Sequence, residues 1–203
     1  MIKKKIFAMY FLAIVILLVS CQKRGAVYDE SLPDDMNPYS GIALSEFSAS
    51  YVEKYWNNRK FHLGKIRMEL DDDLKGMVYA EFADSMNGAP SVVEIAIDTI
   101  GMKVVQLSEL GKGSKIDPGM IHIENWKVDS QEAILLAKEE ITKKYHISRI
   151  DSIHVDTNNA SISKRDSWSI VVSSNAGRYF AYIDVLSKDI TVGKVTEYNQ
   201  NDD

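Results

Sequence analysis

Two stretches of this chain, Ser45–Leu107 and Asp129–Val195, run through the same order of patterns: an amphipathic helical segment, then strand-like segments separated by turns. A repeated order constrains the fold more than any single motif does. Each copy alone is too small for a generous core, so the two must share one. The correspondence reaches single residues. Ile97-Asp98 is followed by a turn at Gly101 and then Val104; Ile183-Asp184 is followed by a turn near Lys188-Asp189 and then Ile190. The spacing from the aspartate to the next apolar strand residue is the same in both.

The second helix carries the clearer signals. Asp129 can cap the first turn while Glu132 reaches back, a capping box. Ala133, Leu136, Ala137 and Ile141 then share one face, and Glu139–Lys143 and Glu140–Lys144 form i,i+4 pairs on the solvated one. The first helix is expected from about Ser45 to Asn57, with Phe47, Tyr51 and Tyr55 as an aromatic core stripe. Strand alternation shows in Leu63, Ile66, Met68 and Leu70 against Lys65, Arg67 and Glu69, in Val93, Ile95 and Ile97 against Glu94 and Ala96, and in Trp168, Ile170 and Val172. Turns are expected at Asp71–Gly76, Asn87-Gly88, Asn158-Asn159 and Asn175-Ala176-Gly177. One-sided alternation predicts an antiparallel sheet with one face covered and one open. The expected fold class is therefore α+β: two tandem helix-plus-three-strand repeats, with the helices packed on one face of an antiparallel sheet. The repeats fall at residues 41–110 and 126–198, joined by a connection over 111–125 and followed by a disordered tail over 199–203.

Val128-Asp129-Ser130-Gln131-Glu132-Ala133, Trp168-Ser169-Ile170-Val171 and Tyr179-Phe180-Ala181-Tyr182-Ile183-Asp184 together resemble the PepSY family, which has a capped helix, a Trp-led strand and an aromatic strand ending in Ile/Val-Asp. The first half is similar through Val93-Glu94-Ile95-Ala96-Ile97-Asp98-Thr99-Ile100-Gly101, so the likeness spans most of residues 45–198. Asp189 stands where the family usually has glycine. The resemblance implies a helix-plus-three-strand unit, and in tandem an architecture like that of the β-lactamase inhibitor protein. It implies binding or inhibition of an extracellular enzyme only by analogy of fold.

The N-terminus specifies an address. Lys3, Lys4 and Lys5 precede an apolar run from Ile6 to Val19, the layout of a secretory signal peptide over residues 1–20. The run is short for a spanning helix; an uncleaved anchor is the alternative. Leu18-Val19-Ser20-Cys21 resembles the lipobox of bacterial lipoproteins, which implies acylation of Cys21, by palmitate or a similar chain. Cys21 is the only cysteine, so no intramolecular disulfide can form. Two or three acyl chains hold a protein firmly, at about 0.8 kcal/mol per buried methylene. The expected location is extracytoplasmic, on a bacterial membrane, with residues 21–40 as a flexible tether because Gly25, Pro33, Pro38 and an acidic cluster interrupt any periodicity.

Charge narrows the partners. The chain holds 24 basic and 29 acidic residues, and residues 1–20 hold three of the lysines and no acid, leaving 21 − 29 = −8 beyond them. That balance argues against nucleic acid, whose binding needs cations facing phosphates. Chemistry is sparse. His62, His122, His146 and His154 lack metal-ligand spacing, even counting the pairs His122–Glu124 and His154–Asp156, so no metal is expected. Asp71-Asp72-Asp73 with Gly76 departs from a calcium loop, since Lys75 and Phe82 occupy ligand positions. Gly111-Lys112-Gly113-Ser114 lacks phosphate-loop spacing, and Asp98 and Asp184 read as turn caps. No cofactor or catalytic residue is expected. The function expected is a non-catalytic, membrane-anchored module that binds a protein near the membrane, with inhibition or regulation of a secreted or envelope enzyme as its purpose. The alternative is a structural or assembly lipoprotein of the envelope. Trp168 is expected to be buried beneath the second helix, near Leu136 and Ile141.

Overall fold

The turn residues divide the chain into strands, and every strand joins a single sheet. The computed structural model describes residues 29–56, 61–84, 91–112, 121–158 and 166–195. Leu18–Cys21, the turn at Asn87-Gly88, most of the connection before Gly119 and the tail over 199–203 lie outside those residues. In chain order run β1 (Glu30–Ser31), α1 (Gly41–Tyr55), β2 (Phe61–Leu70), β3 (Gly76–Asp84), β4 (Ser91–Asp98) and β5 (Lys103–Lys112). A 3-10 turn at Ile123–Asn125 leads to α2 (Ser130–Tyr145), β6 (Ser152–Asn158), β7 (Ser167–Ser174), β8 (Gly177–Asp184) and β9 (Ile190–Lys194). The strands form one nine-stranded antiparallel sheet in the order β1-β5-β4-β3-β2-β6-β7-β8-β9.

This arrangement overturns the expected pair of helix-plus-three-strand repeats. The fold is predominantly β, and four consecutive strands follow each helix. Gly76–Asp84 is a strand in its own right, burying Val78, Ala80 and Phe82. The two halves share one sheet. An isolated meander would leave the edge of β2 or β6 unpaired; here the two edges pair, Arg67 with Asp156 and Glu69 with His154.

One row of side chains shows where the core lies. Ile97, Val78, Met68, Val155, Ile170 and Ala181 stand in register across six strands, and all are buried. Both helices lie on this face, α1 against β2–β4 and α2 against β7–β9. At the β2–β3 turn the backbone must reverse within a few residues. Gly76 has φ +155, and a Cβ there would lie 2.0 Å from Glu69 O, so no other residue fits.

The helices start where side chains meet their free amides. Ser40 Oγ accepts from Ala43 N–H at 3.1 Å, which begins α1 at Gly41 rather than Ser45. Asp129 caps α2, accepting from Ser130 N–H at 2.7 Å, and it also accepts from Ile42 N–H at 3.3 Å. Ser130 Oγ accepts from Gly41 N–H at 2.7 Å and donates to Tyr39 O. One residue pair thus serves both helix N-termini, where a carboxylate is favoured. The capping box does not form: Glu132 receives Lys188 Nζ at 2.7 Å instead. Along α2 the buried face is Ala133, Ile134, Ala137 and Ile141, with Leu136 half-buried.

Trp168 is fully buried, as expected, and lies at this helix junction. Its Nε1–H donates to Val128 O at 2.9 Å, and Trp126 meets it edge-on with centroids 5.0 Å apart. Gly41 lies so close that a Cβ on it would come within 2.8 Å of the indole Cη2. The segment from Asp29 to Ser40, expected as part of a tether, packs onto the domain. Glu30–Ser31 pairs with β5, Leu32 is buried, and Lys54 Nζ meets Glu30 at 3.0 Å.

Candidate binding face of the sheet

The period of two that buries Ile66 and Met68 turns Lys65, Arg67 and Glu69 to the opposite face, which neither helix covers. Strand register places their neighbours. Arg67 stands between Tyr79 and Asp156; beyond Asp156 the row continues through Ser169 to Tyr182. Glu69 is followed by His154, Val171 and Phe180, and Lys65 faces Glu81, then Glu94. The face has a charged centre and an aromatic flank.

At the centre the Arg67 guanidinium lies over the Tyr79 ring, 4.3 Å from its centroid. Its nitrogens are 3.8 Å from Glu69 and 3.7 Å from Glu94, distances of charge pairing rather than hydrogen bonding, and Nε is buried without a hydrogen-bond partner. Burial raises the Glu94 carboxyl above its ordinary range; Arg67 opposes that shift, and Glu81 and Glu69 add to it. Burial likewise raises the Tyr79 phenol. Asp156 joins Lys65 at 2.9 Å to His154 at 2.9 Å. With Lys65 and Arg67 set against Glu69, Glu81, Glu94 and Asp156, this centre is net acidic.

On the flank, Phe180 and Tyr182 have ring centroids 5.3 Å apart, and Tyr182 is 45% exposed. Phe180 lies flat across β9 because Gly193 leaves room; a Cβ there would sit 2.3 Å from the ring's Cζ. A cleft of about 450 Å³ opens where β2 ends and β6 begins, lined by Glu69, Asp71, Lys75, Asp151, Ser152 and His154 among others.

Of the pairs singled out from the sequence, His154–Asp156 lies on this face. The residues opposite His154 are Glu69 and Val171. His122 meets Glu124 at 3.1 Å, exposed on the 3-10 turn; His146 ends α2 with φ 55, and His62 is on β2. Among the described residues no group of three His, Cys, Asp or Glu is placed to hold a metal. Asp98 accepts from Ile100 N–H and Asp184 from Leu186 N–H, both at 2.9 Å, as turn caps do. Asp71 accepts from Lys75 N–H at 2.8 Å in a hairpin turn. The Phe180–Tyr182 platform was missed, although Tyr182 alternating with buried Ala181 and Ile183 was its signal.

No family model matches the chain, which leaves the PepSY resemblance without that support, and no curated protein matches it. Among solved structures, a Clostridium difficile protein described as a candidate lipoprotein matches at 12% identity with a TM-score of 0.45, covering 73% of this chain and 90% of that one. A likeness that loose transfers no function. Among the described residues no helix is long and apolar enough to cross a membrane.

Proposed function

We propose that this chain is an extracytoplasmic lipoprotein, held on a bacterial membrane by acyl groups on Cys21, and that its open sheet face binds an envelope or secreted protein without catalysis. The anchoring part is supported by Leu18-Val19-Ser20-Cys21 after a basic and apolar N-terminus. The observation that carries the binding part is exposed Tyr182 beside the charged groups around Arg67, on the face that neither helix covers. It combines exposed Tyr182 with charged groups at the centre, a mixture suited to a protein surface.

Two measurements test the two parts separately. Cys21→Ser should abolish incorporation of a labelled fatty acid and release the protein from membranes; undiminished label would end the lipoprotein reading. A photo-crosslinking residue at Tyr182 in living cells should give a discrete adduct, while the same residue at Leu135, exposed on the outer side of α2, should not. Equal adducts from both positions, or none from Tyr182, would refute binding through this face.

A further inference from the structure

Two carboxylates on the face away from the helices stand directly across from one another. Glu81 on β3 is in register with Glu94 on β4, in the row that runs from Lys65 to Ser108. Like charges so placed destabilise a sheet, their Cβ atoms being about 4.5–5.5 Å apart. The nearby cations are engaged elsewhere. Lys65 turns its Nζ to Asp156 at 2.9 Å, and Arg67 is divided between Glu69 at 3.8 Å and Glu94 at 3.7 Å. Among the described residues no cation lies within ion-pair distance of Glu81. Ser108, on the far side of Glu94, accepts from Gln106 Nε2 and brings no charge.

Counting Lys65 and Arg67 against Glu69, Glu81, Glu94 and Asp156 leaves 2 − 4 = −2. Burial raises the Glu94 carboxyl, and Glu81 adds to the rise against the pull of Arg67. Glu81 thus weakens the sheet it belongs to, and a cation from outside would relieve it. We propose that the protein bound by this face presents a basic patch, with one lysine or arginine side chain seated between Glu81 and Glu94 and an apolar group over Tyr182. The inference rests on the reading that this face binds a protein, and adds the chemistry of that protein.

Geometry and sign both favour that occupant. Between β3, which carries Glu81, and β8, which carries Tyr182, lie β2, β6 and β7. At about 4.8 Å per strand the two residues are about 19 Å apart across the sheet, within the width of a single partner's contact area. Tyr182 is 45% exposed and offers the amphipathic ring that anchors protein contacts. A second copy of this chain has the wrong sign, because at a net charge of −5 it brings more acid than base to the contact. Among the described residues no third ligand joins Glu81 and Glu94 to hold a metal ion.

The test uses the full chain in living cells, with the photo-crosslinking residue at Tyr182. Glu81→Gln should lower the yield of the adduct about three-fold or more, and Glu81→Lys about ten-fold or more, as expected for losing and then reversing a charge that faces the partner. The same two changes at Glu139, exposed on α2 and so away from this face, should leave the yield unchanged. The thermal midpoint of purified Glu81→Gln should hold or rise, since a repulsion is removed. An unchanged yield from both Glu81 variants overturns the proposal while leaving protein binding by this face intact. An equal loss from the Glu139 variants also overturns it, by assigning the effect to net charge, and a lowered midpoint for Glu81→Gln does so by making Glu81 a structural residue. An adduct of twice the chain's mass would put a second copy on the face and overturn the basic partner. No adduct from Tyr182 with Glu81 intact removes the binding reading itself, and this inference with it.

Discussion

Replacing Trp168 with alanine should be among the most damaging single changes to this fold. The indole is fully buried, touches Gly41, and meets Trp126 edge-on at the point where the two helices begin. Emptying that volume costs about 3–5 kcal/mol. Losing the Nε1–H leaves the Val128 carbonyl buried without its donor, adding about 1–3 kcal/mol. These contributions overlap, so a combined loss of about 4–6 kcal/mol is expected, set against a total of about 5–15 kcal/mol for a domain. Trp168→Phe keeps most of the packing while removing the donor and part of the indole volume, and should cost less than Trp168→Ala. Urea denaturation followed by circular dichroism measures both, and a shifted midpoint at unchanged slope reports stability alone. A loss below about 1 kcal/mol for Trp168→Ala would refute the reasoning, because no buried indole at a helix junction could be removed so cheaply.

Ser130→Ala should cost about 1–3 kcal/mol although it removes a single oxygen, because that hydroxyl serves Gly41 N–H and Tyr39 O and the amide it abandons is buried; a change within about 0.5 kcal/mol in the same denaturation assay would show that water replaces it. Glu94→Gln should leave the protein as stable as the parent or more stable at neutral pH, since burial raises the folded carboxyl above its ordinary value of 4.5. The sign follows from linkage. The contribution of Glu94 is fully present below 4.5 and is lost as pH rises through the raised folded value, so the variant's advantage should vanish toward pH 4. Thermal midpoints from pH 4 to 8 check this, and an advantage that grows as pH falls would reverse the assignment of desolvation as the dominant cause.

Local chemistry along the chain was enough to specify much of this molecule. The alternation of Ile66 and Met68 with Lys65, Arg67 and Glu69 identifies a half-buried strand without reference to any neighbour, because successive side chains must point to opposite faces. The Asp129 cap, the turn at Asp71–Gly76 and the backbone role of Asp98 follow from side chains meeting nearby amides, a matter of a few residues. What the chain could not reveal locally depends on pairs distant in sequence. That β2 joins β6, making one sheet rather than two repeats, is decided by the matching of two strand edges about ninety residues apart. Glu132 pairs with Lys188 across the fold instead of closing a capping box, and Asp29–Ser40 folds onto the domain because β5 offers an edge and α1 offers Lys54. The open face has the same origin. Tyr79, Glu94, Asp156 and Tyr182 each read as an ordinary polar or aromatic strand residue, and only cross-strand register assembles them around Arg67. Nearest neighbours in sequence set direction and face, while the partner across the sheet is set by a free-energy balance over the whole chain.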